Sequence, residues 1–295
     1  PMVECLTCGW VPKCKNCDVS LTYHRGTNSL VCHYCGAVYR VPERCPACEG
    51  TQLDDRGFGT EKIEDTVREL FPKARVARLD LDTTRSRSAY DRILSAFRDG
   101  KTDILIGTQM VSKGLDFDRV RVVGVLDADA AMNVPDFRSY ERAFQMMSQV
   151  AGRAGRRDTR GTVILQTRRP ETELIAQVAA NDYTGMYETQ IQEREAFGYP
   201  PFCRLIYIYL RHRSQYVADC ASRDMAAALL PIFGDNLLGP ANPPVARIKS
   251  LFIRQIMLKV GRTAPVARVR SVLQQTAAKI TGQYGADVYF DVDPL

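Results

Sequence analysis

Residues 5–48 read CLTCGWVPKCKNCDVSLTYHRGTNSLVCHYCGAVYRVPERCPAC and hold eight of the ten cysteines of the chain. These eight form four Cys-x-x-Cys pairs: Cys5/Cys8, Cys14/Cys17, Cys32/Cys35 and Cys45/Cys48. Two thiolates at this spacing can wrap around one metal ion and supply half of a tetrahedral site, with Zn–S bonds of about 2.3 Å. Four pairs therefore predict two closed zinc sites, each with four cysteine ligands. Such sites are structural, because a catalytic zinc keeps one ligand position open.

The spacing between the pairs favours a nested arrangement of the two ions. Fourteen residues separate Cys17 from Cys32, which is zinc-ribbon spacing and leaves room for a hairpin that turns at residues 25–28. Only five residues separate Cys8 from Cys14, so a shared ion there would need a very tight loop. We predict Cys14, Cys17, Cys32 and Cys35 on one ion and Cys5, Cys8, Cys45 and Cys48 on the other. Disulfides or free thiols are the alternatives.

The bulk composition is that of a globular protein. The 295 residues predict two or three domains, with 45% hydrophobic and 25% charged residues. No apolar run approaches the roughly 18 residues of a membrane span, and no secretory signal pattern is present, so we expect a soluble, cytoplasmic protein with reduced thiols. A net charge of +6 is compatible with a polyanionic partner but does not demonstrate one.

Three segments follow one another along the chain: a double zinc-binding module at 1–55, an α/β unit at 56–197 that ends in a trailing polar helix over 171–195, and a C-terminal α+β domain at 198–295. In the second segment, helix candidates over 61–71 and 86–97 alternate with β-rich runs, which predicts a parallel sheet. The β-rich runs are 74–81, 103–108, 121–126 and 161–167. Three aspartates in this segment, Asp127, Asp129 and Asp136, are interpreted as loop residues rather than a metal site.

The C-terminal segment follows the Gly198-Tyr-Pro-Pro201 punctuation and has the order β-α-β-β-α-β. That order predicts a split-βαβ sandwich. The expected elements are strand 204–210, helix 216–233, strands near 245–249 and 252–260, helix 265–284 and strand 286–292.

A predicted helix over 137–154 ends in Gln149-Val-Ala-Gly-Arg-Ala-Gly-Arg156. On a helix, Arg153 and Arg156 would share one face, and two guanidinium groups at that spacing suit a phosphate chain. The alternative is a basic helix end stabilised by the helix dipole.

Two short patterns connect this helix to a known family. Thr108…Gly114-x-Asp116 followed by Gln149-x-x-Gly-Arg-x-Gly-Arg156 resembles the fifth and sixth motifs of superfamily 2 helicases. With the cysteine array, Gly59-Thr-Glu-Lys62, Gly107-Thr-Gln-Met110, Pro135-Asp-Phe-Arg-Ser139 and Phe290-Asp-Val-Asp-Pro294, the whole chain resembles the C-terminal portion of the primosomal replication-restart DNA helicase family (PriA, primosomal protein N′).

The resemblance implies a RecA-like second helicase lobe into which the zinc-ribbon-type module is inserted. It implies catalytic roles for Arg153 and Arg156 at the phosphate chain of ATP, with Gly114, Asp116 and Gln149 also holding nucleotide. It implies DNA contacts for Thr108, Gln109 and Lys113. No G-x-x-x-x-G-K-[ST] sequence occurs. The ATP and Mg site would therefore be completed by a preceding lobe, and we expect this chain to be inactive alone.

Basic residues crowd the C-terminal segment, and no acidic residue occurs from Ala246 to Gly282. Arg247, Lys249 and Arg254 are predicted to lack local partners and to attract a phosphate backbone, the alternative being a solvated basic face.

The function implied by the resemblance is an ATP-dependent 3′-to-5′ DNA helicase that binds forked and single-stranded DNA and restarts stalled replication by primosome assembly. Single-strand-binding protein and primosome-loading proteins are the partners that it implies. Two alternatives remain: a non-catalytic, zinc-dependent nucleic-acid-binding protein with a degenerate helicase lobe, and a fork-remodelling translocase.

Overall fold

A computed structural model describes residues 2–56, 59–80, 83–84, 86–108, 119–155 and 161–294. Contacts divide the chain into two compact units. One contains Pro1–Gly57 together with Arg194–Leu295, and the other contains Phe58–Glu193.

The cysteine-rich segment forms two small antiparallel sheets. Strands β1 and β5 pair at its two ends, and β2, β3 and β4 form a three-stranded sheet between them. The predicted hairpin is confirmed, and it turns through a 3₁₀ turn at Arg25–Thr27 with Asn28 in the left-handed region. The strands are β1 Met2–Cys5, β2 Thr22–His24, β3 Ser29–Val31, β4 Val38–Arg40 and β5 Leu53–Arg56.

The C-terminal domain is the predicted split-βαβ sandwich. Its sheet has the strand order β11-β13-β10-β14 with every neighbouring pair antiparallel. The elements are β10 Cys203–His212, α7 Gln215–Phe233, β11 Leu237–Ala241, β12 Arg247–Ile248, β13 Leu251–Gly261, α8 Val266–Tyr284 and β14 Asp287–Val292.

One strand of this domain differs from the prediction. The second strand of the sandwich is β11, whereas the segment predicted near 245–249 forms only the two-residue β12, which pairs with β13. Strand β11 lies at the sheet edge and contains Gly239 and Pro240. Glycine and proline are unfavourable in a central strand, so a strand prediction from the sequence passes over an edge strand that contains them.

The core of the domain lies between one face of the sheet and the two long helices. Alternate residues of β10, including Ile208 and Leu210, point to this face and pack with Met225 and Leu229 of α7 and Leu273 of α8. Each buried side chain of this size stabilises the fold by about 1.5–3 kcal/mol. The intervening β10 residues, Tyr207 and Tyr209, belong to the opposite face because successive strand residues alternate.

Within the described residues, the α/β unit contains two separate parallel strand pairs, β6 with β7 and β8 with β9; the parallel pairing agrees with the prediction, whereas a single sheet was predicted. Its elements are α1 Thr60–Leu70, β6 Val76–Leu79, α2 Arg87–Arg98, β7 Ile104–Gly107, β8 Val122–Val125, α3 Ala128–Met132, α4 Ser139–Ala151, β9 Thr162–Leu165, α5 Glu173–Ala180 and α6 Tyr183–Ala196, the last of which extends across the unit boundary.

Two helix predictions in this unit are corrected. The polar stretch over 171–195 is two helices, α5 and α6, because Asn181 takes a left-handed conformation that ends the first. The helix predicted over 137–154 is α4, which stops at Ala151 before Gly152. Among the helices in the described ranges, none has the length and apolar character needed to cross a membrane.

Candidate zinc centres and arginine loop

The eight cysteine sulfurs gather in the predicted nested grouping. Cys5, Cys8, Cys45 and Cys48 form the first group, and Cys14, Cys17, Cys32 and Cys35 form the second, with the sulfurs of each group within 4.8 Å of one another. The Cys5–Cys48, Cys8–Cys45 and Cys14–Cys35 sulfur distances are all 3.6 Å. Zn–S bonds of about 2.3 Å in a tetrahedron place the sulfurs roughly 3.8 Å apart. Donor type and spacing therefore fit two structural zinc ions.

Tight backbone turns bring the two cysteines of a pair together. The amides of Gly9, Gly36 and Glu49 donate to the carbonyls of Cys5, Cys32 and Cys45, each at 2.8 Å. All three donors have positive φ, at 73°, 76° and 59°. Glycine adopts this conformation without steric cost, which explains why it follows the second cysteine in two of the pairs.

The second group has donors aimed at its sulfurs. The sulfur of Cys14 lies 3.4 Å from the Asn16 amide and 3.5 Å from the Tyr39 hydroxyl. Desolvation raises the pKa of Cys17 and of Cys32, whereas at Cys14 the hydrogen bonds from Tyr39 and Asn16 outweigh desolvation and lower the pKa to about 6. The thiolate is the form of cysteine that binds metal, so metal binding by this group is coupled to loss of thiol protons.

The histidines of the hairpin lie outside both sulfur groups. The rings of His24 and His33 are 5.4 Å apart and tilted against each other, and neither residue belongs to a sulfur group.

Residues 152–155 follow α4 directly and are called the arginine loop because they include Arg153. Helix α4 is anchored by the buried side chains of Ala143, Phe144 and Met147, and it presents Gln149 at its exposed face. Because the helix ends at Ala151, Arg153 lies in a turn in which its amide donates to the Val150 carbonyl at 3.0 Å. The prediction that Arg153 lies on a helical face is thus wrong. Arg156 lies outside the described residues.

A glycine that the sequence reasoning did not single out shapes this loop. A Cβ added to Gly161 would collide with the backbone of Ala154 and Gly155, at a separation closer than real contacts allow. The loop is also tied to the chain before β8, because the Gly155 amide donates to the Val120 carbonyl at 3.0 Å. The backbone carrying Arg153 is therefore packed closely against the residue that precedes β9.

The other predicted nucleotide and DNA residues fall mostly beyond what the structure describes. Thr108 follows β7 and is exposed. The remaining members of this set, which lie outside the described residues, are Gln109, Lys113, Gly114 and Asp116.

Asp129 has a structural role, but it lies in helix α3, whereas the three aspartates were interpreted as loop residues. Its buried carboxylate accepts hydrogen bonds from the Arg168 amide at 2.8 Å and the Thr167 hydroxyl at 2.9 Å. The hydrogen bond from the Arg168 amide is the main cause that lowers the pKa of Asp129. These bonds join α3 to the end of β9.

The predicted basic surface of the C-terminal domain requires correction. Arg254 is buried and its Nε donates to the Asp219 carboxylate of α7, so it has a local partner and does not belong to an open surface. Lys259 donates to the Phe197 carbonyl at 2.6 Å. Arg247 and Lys249 lie in the β12–β13 hairpin, where Lys249 is exposed and Arg247 is half-buried with its guanidinium 5.7 Å from the Phe252 ring.

An aromatic row on the face opposite the C-terminal core was not predicted. Tyr209 of β10 lies opposite Tyr289 of β14, with stacked rings 5.0 Å apart, and Tyr207 is 6.0 Å from Tyr209. The Arg211 guanidinium lies 5.0 Å from the Tyr289 ring. Desolvation raises the pKa of Tyr209 to about 12, so its hydroxyl stays neutral. The alternation of Tyr207 and Tyr209 along one strand was the available signal.

Three parts define the class of this protein: a module with two four-cysteine sites, a parallel α/β unit with an arginine loop, and a split-βαβ domain. The class is a second helicase lobe with a cysteine-rich zinc module and an added C-terminal domain. Family models agree with each part. They match the PriA DNA helicase Cys-rich region at residues 14–40, the helicase conserved C-terminal domain at 58–158 and the primosomal protein N C-terminal domain at 195–295.

Curated relatives match almost the entire chain. Replication restart protein PriA of Bacillus subtilis (strain 168) is 39% identical over 295 aligned positions, which cover 99% of this chain and 36% of that protein. Its counterparts in Treponema pallidum and Haemophilus influenzae are 39% and 36% identical, over 99% and 100% of this chain and 44% and 40% of their own lengths. The chain belongs to the primosomal replication-restart helicase family and spans about two fifths of the length of these relatives.

Proposed function

We propose that this chain is part of an ATP-dependent 3′-to-5′ DNA helicase that restarts stalled replication by primosome assembly. The observation that carries the proposal is the similarity of nearly the whole chain to replication restart proteins, with zinc module, helicase domain and C-terminal domain in one order. Forked and single-stranded DNA are the proposed substrates. Single-strand-binding protein and primosome-loading proteins are the proposed partners.

The arginines have the role of cations at a nucleotide. Phosphoryl transfer depends on charge stabilisation more than on covalent chemistry, and ATP with Mg²⁺ supplies the transferred group when bound. Arg153 and Arg156 place positive charge at the phosphate chain, while Gly114, Asp116 and Gln149 help to hold the nucleotide. The phosphate-binding loop and the Mg²⁺ ligands belong to another lobe.

DNA is contacted at three places in this proposal. Thr108, Gln109 and Lys113 face the strand that passes along the helicase lobes. Arg247 and Lys249 attract the phosphate backbone near the zinc module, whereas Arg254 takes no part because Asp219 neutralises it inside the domain. The tyrosine row supports contact with unpaired bases, since aromatic faces stack bases with little regard to sequence.

ATP hydrolysis gives the sharpest test. The isolated chain should not hydrolyse ATP, and Arg153→Ala in the full-length protein should lower kcat by about 10³-fold or more, the scale of an arginine that stabilises the γ-phosphate. Zinc content should stay unchanged. DNA binding without any hydrolysis by the full-length protein would favour the non-catalytic alternative, and turnover by the isolated chain would contradict the proposed division of the site.

Salt dependence tests the proposed phosphate contacts. The exchange Arg247→Gln with Lys249→Gln should flatten the slope of log K against log salt by roughly 1.4–1.8, the value for two phosphate contacts. Arg254→Met is the matched control and should leave the slope unchanged. An unaltered slope in the double variant would remove both residues from the DNA contact.

A further inference from the structure

The hairpin β12–β13 of the C-terminal domain lies directly on the second sulfur group. Three backbone donors join residues 16–18 of the zinc module to residues 247–250. The Lys249 amide donates to the Cys17 sulfur at 3.3 Å, the Ser250 amide to the Asn16 carbonyl at 2.7 Å and the Asp18 amide to the Arg247 carbonyl at 2.8 Å. Ile248 adds an apolar contact with the buried core of the module.

The turn of this hairpin has an unusual composition. A two-residue turn joins β12 to β13, and both of its residues have positive φ, 50° at Lys249 and 63° at Ser250. Two-residue turns with left-handed conformations at both positions strongly prefer Asn-Gly or Gly-Gly, because other side chains are strained there. Strain of this kind persists where surrounding contacts hold it in place. Here the holding contacts are the hydrogen bonds from the amides of these two residues to the Cys17 sulfur and the Asn16 carbonyl.

The hydrogen bond to Cys17 has chemical value for a bound metal. A thiolate on zinc carries negative charge, and N–H donors around a metal site orient its ligands and tune their basicity. The Cys14 sulfur accepts from the Asn16 amide, which lies between Cys14 and Cys17 in the sequence. The Cys17 sulfur accepts from the Lys249 amide, which is 232 positions away in the chain.

We propose that the Lys249–Ser250 turn is an outer-sphere part of the second zinc site. Zinc binding by Cys14, Cys17, Cys32 and Cys35 and docking of the C-terminal hairpin then stabilise each other. Coupling between two binding events is reciprocal. Loss of the metal therefore loosens the docking of the hairpin, and a disfavoured turn weakens zinc binding at the second site. This inference concerns the zinc module and the C-terminal domain and is independent of the proposed helicase activity.

Two turn variants of equal charge test the first direction. Lys249→Asn with Ser250→Gly keeps a favoured turn, and Lys249→Val with Ser250→Val opposes it because β-branched residues avoid positive φ. Zinc transfer to a chromogenic chelator is followed together with cysteine alkylation read by mass spectrometry. We expect the Val-Val variant to release one of its two ions at least tenfold faster, with early alkylation at Cys14, Cys17, Cys32 and Cys35. The Asn-Gly variant should match the parent chain. Equal release from both variants would overturn the proposal.

Hydrogen exchange tests the reverse direction and decides the matter if the Val-Val variant does not fold. Cys32→Ser disables the second site, and Cys45→Ser disables the first. The amides of residues 247–253 should exchange at least tenfold faster in Cys32→Ser and at the parent rate in Cys45→Ser. Equal exchange in the two variants would show that the hairpin does not sense the second ion.

Discussion

Arg254 shows how one residue can have a role opposite to its appearance in the sequence. Its side chain is 8% exposed, and its Nε donates to Asp219, whose side chain is 38% exposed. Its Nη1 donates a further hydrogen bond to the Ile253 carbonyl at 2.8 Å. A buried guanidinium is tolerated only when a carboxylate and hydrogen-bond acceptors replace its water. Arg254 therefore belongs to the interior of the C-terminal domain.

Removal of the partner carboxylate should be costly. Asp219→Ala leaves the buried Arg254 charge unpaired, and we expect the free energy of unfolding to fall by about 3 kcal/mol. Adding Arg254→Met should restore most of this loss, since an apolar side chain of similar length needs no counterion. Urea unfolding of the three proteins measures both effects. A loss below about 0.5 kcal/mol in Asp219→Ala, typical of a surface site, would contradict the interpretation.

Asp103 should make stability depend on acidity. The side chain and amide of Arg75 donate to both of its carboxylate oxygens, at 2.7–2.9 Å, and hold the pKa of Asp103 at about 2. Because this folded value is below the unfolded one of about 3.9, the stabilisation is present above pH 4 and is lost as pH falls toward 2. Calorimetry should find a small loss of Tm in Asp103→Asn that is equal at pH 7 and pH 5 and shrinks below pH 4. A difference that grows in acid would contradict this sign.

At the scale of elements, residues 152–155, which follow α4, make one close backbone approach to Gly161 just before β9. The position of Arg153 follows from the end of α4, the bond between Gly155 and Val120, and the absence of a Cβ at Gly161. The loop is thus held by packing rather than by helical geometry. Small shifts at its base should move the guanidinium.

Gly161→Ala should displace this loop. The new methyl group collides with the backbone of Ala154 and Gly155, and overpacking of this kind costs about 1–3 kcal/mol. Gly124→Ala in the neighbouring strand β8 is the matched control, because a Cβ there meets nothing within 4 Å. Thermal unfolding should separate the two variants. In the full-length protein, only Gly161→Ala should lower kcat for ATP hydrolysis. Equal unfolding temperatures and equal kcat in the two variants would show that the close backbone approach at Gly161 does not position the loop.

At the scale of the whole molecule, the zinc module and the α/β unit differ in what holds them together. The zinc module has few buried apolar side chains besides its cysteines, whereas the α/β unit has its own core around Phe144, Met147 and Leu174. Metal binding is coupled to folding in small modules of this kind. The zinc module and the α/β unit should therefore respond differently to a chelator.

Metal analysis should find two zinc ions per chain, because eight thiolates form two complete sets of four. A strong chelator should unfold the β2–β3 hairpin while the α/β unit keeps its thermal transition, since each domain has a core of its own. Hydrogen exchange resolved by segment measures both responses, with residues 122–178 as the reference. One ion per chain would contradict the nested pairing, and joint unfolding of both units would contradict their independence.

The features that depend on spacing along the chain could be predicted from the amino-acid sequence. The Cys-x-x-Cys pairs, the loop lengths that favour nesting, the β2–β3 hairpin and the β-α-β-β-α-β order follow from local geometry and from the regular alternation of apolar residues. These properties are complete within a few neighbouring residues, so they can be recognised before any tertiary contact is known.

The features that join distant residues became visible in the folded chain alone. Asp219 neutralises Arg254 across 35 positions, and the Lys249 amide reaches Cys17 across 232. The edge strand β11 contains Gly239 and Pro240 and is held by pairing with β13. In each case the stabilising partner lies on another element. A residue's own neighbours in the sequence therefore do not reveal whether its charge, its backbone amide or its strand will find that partner.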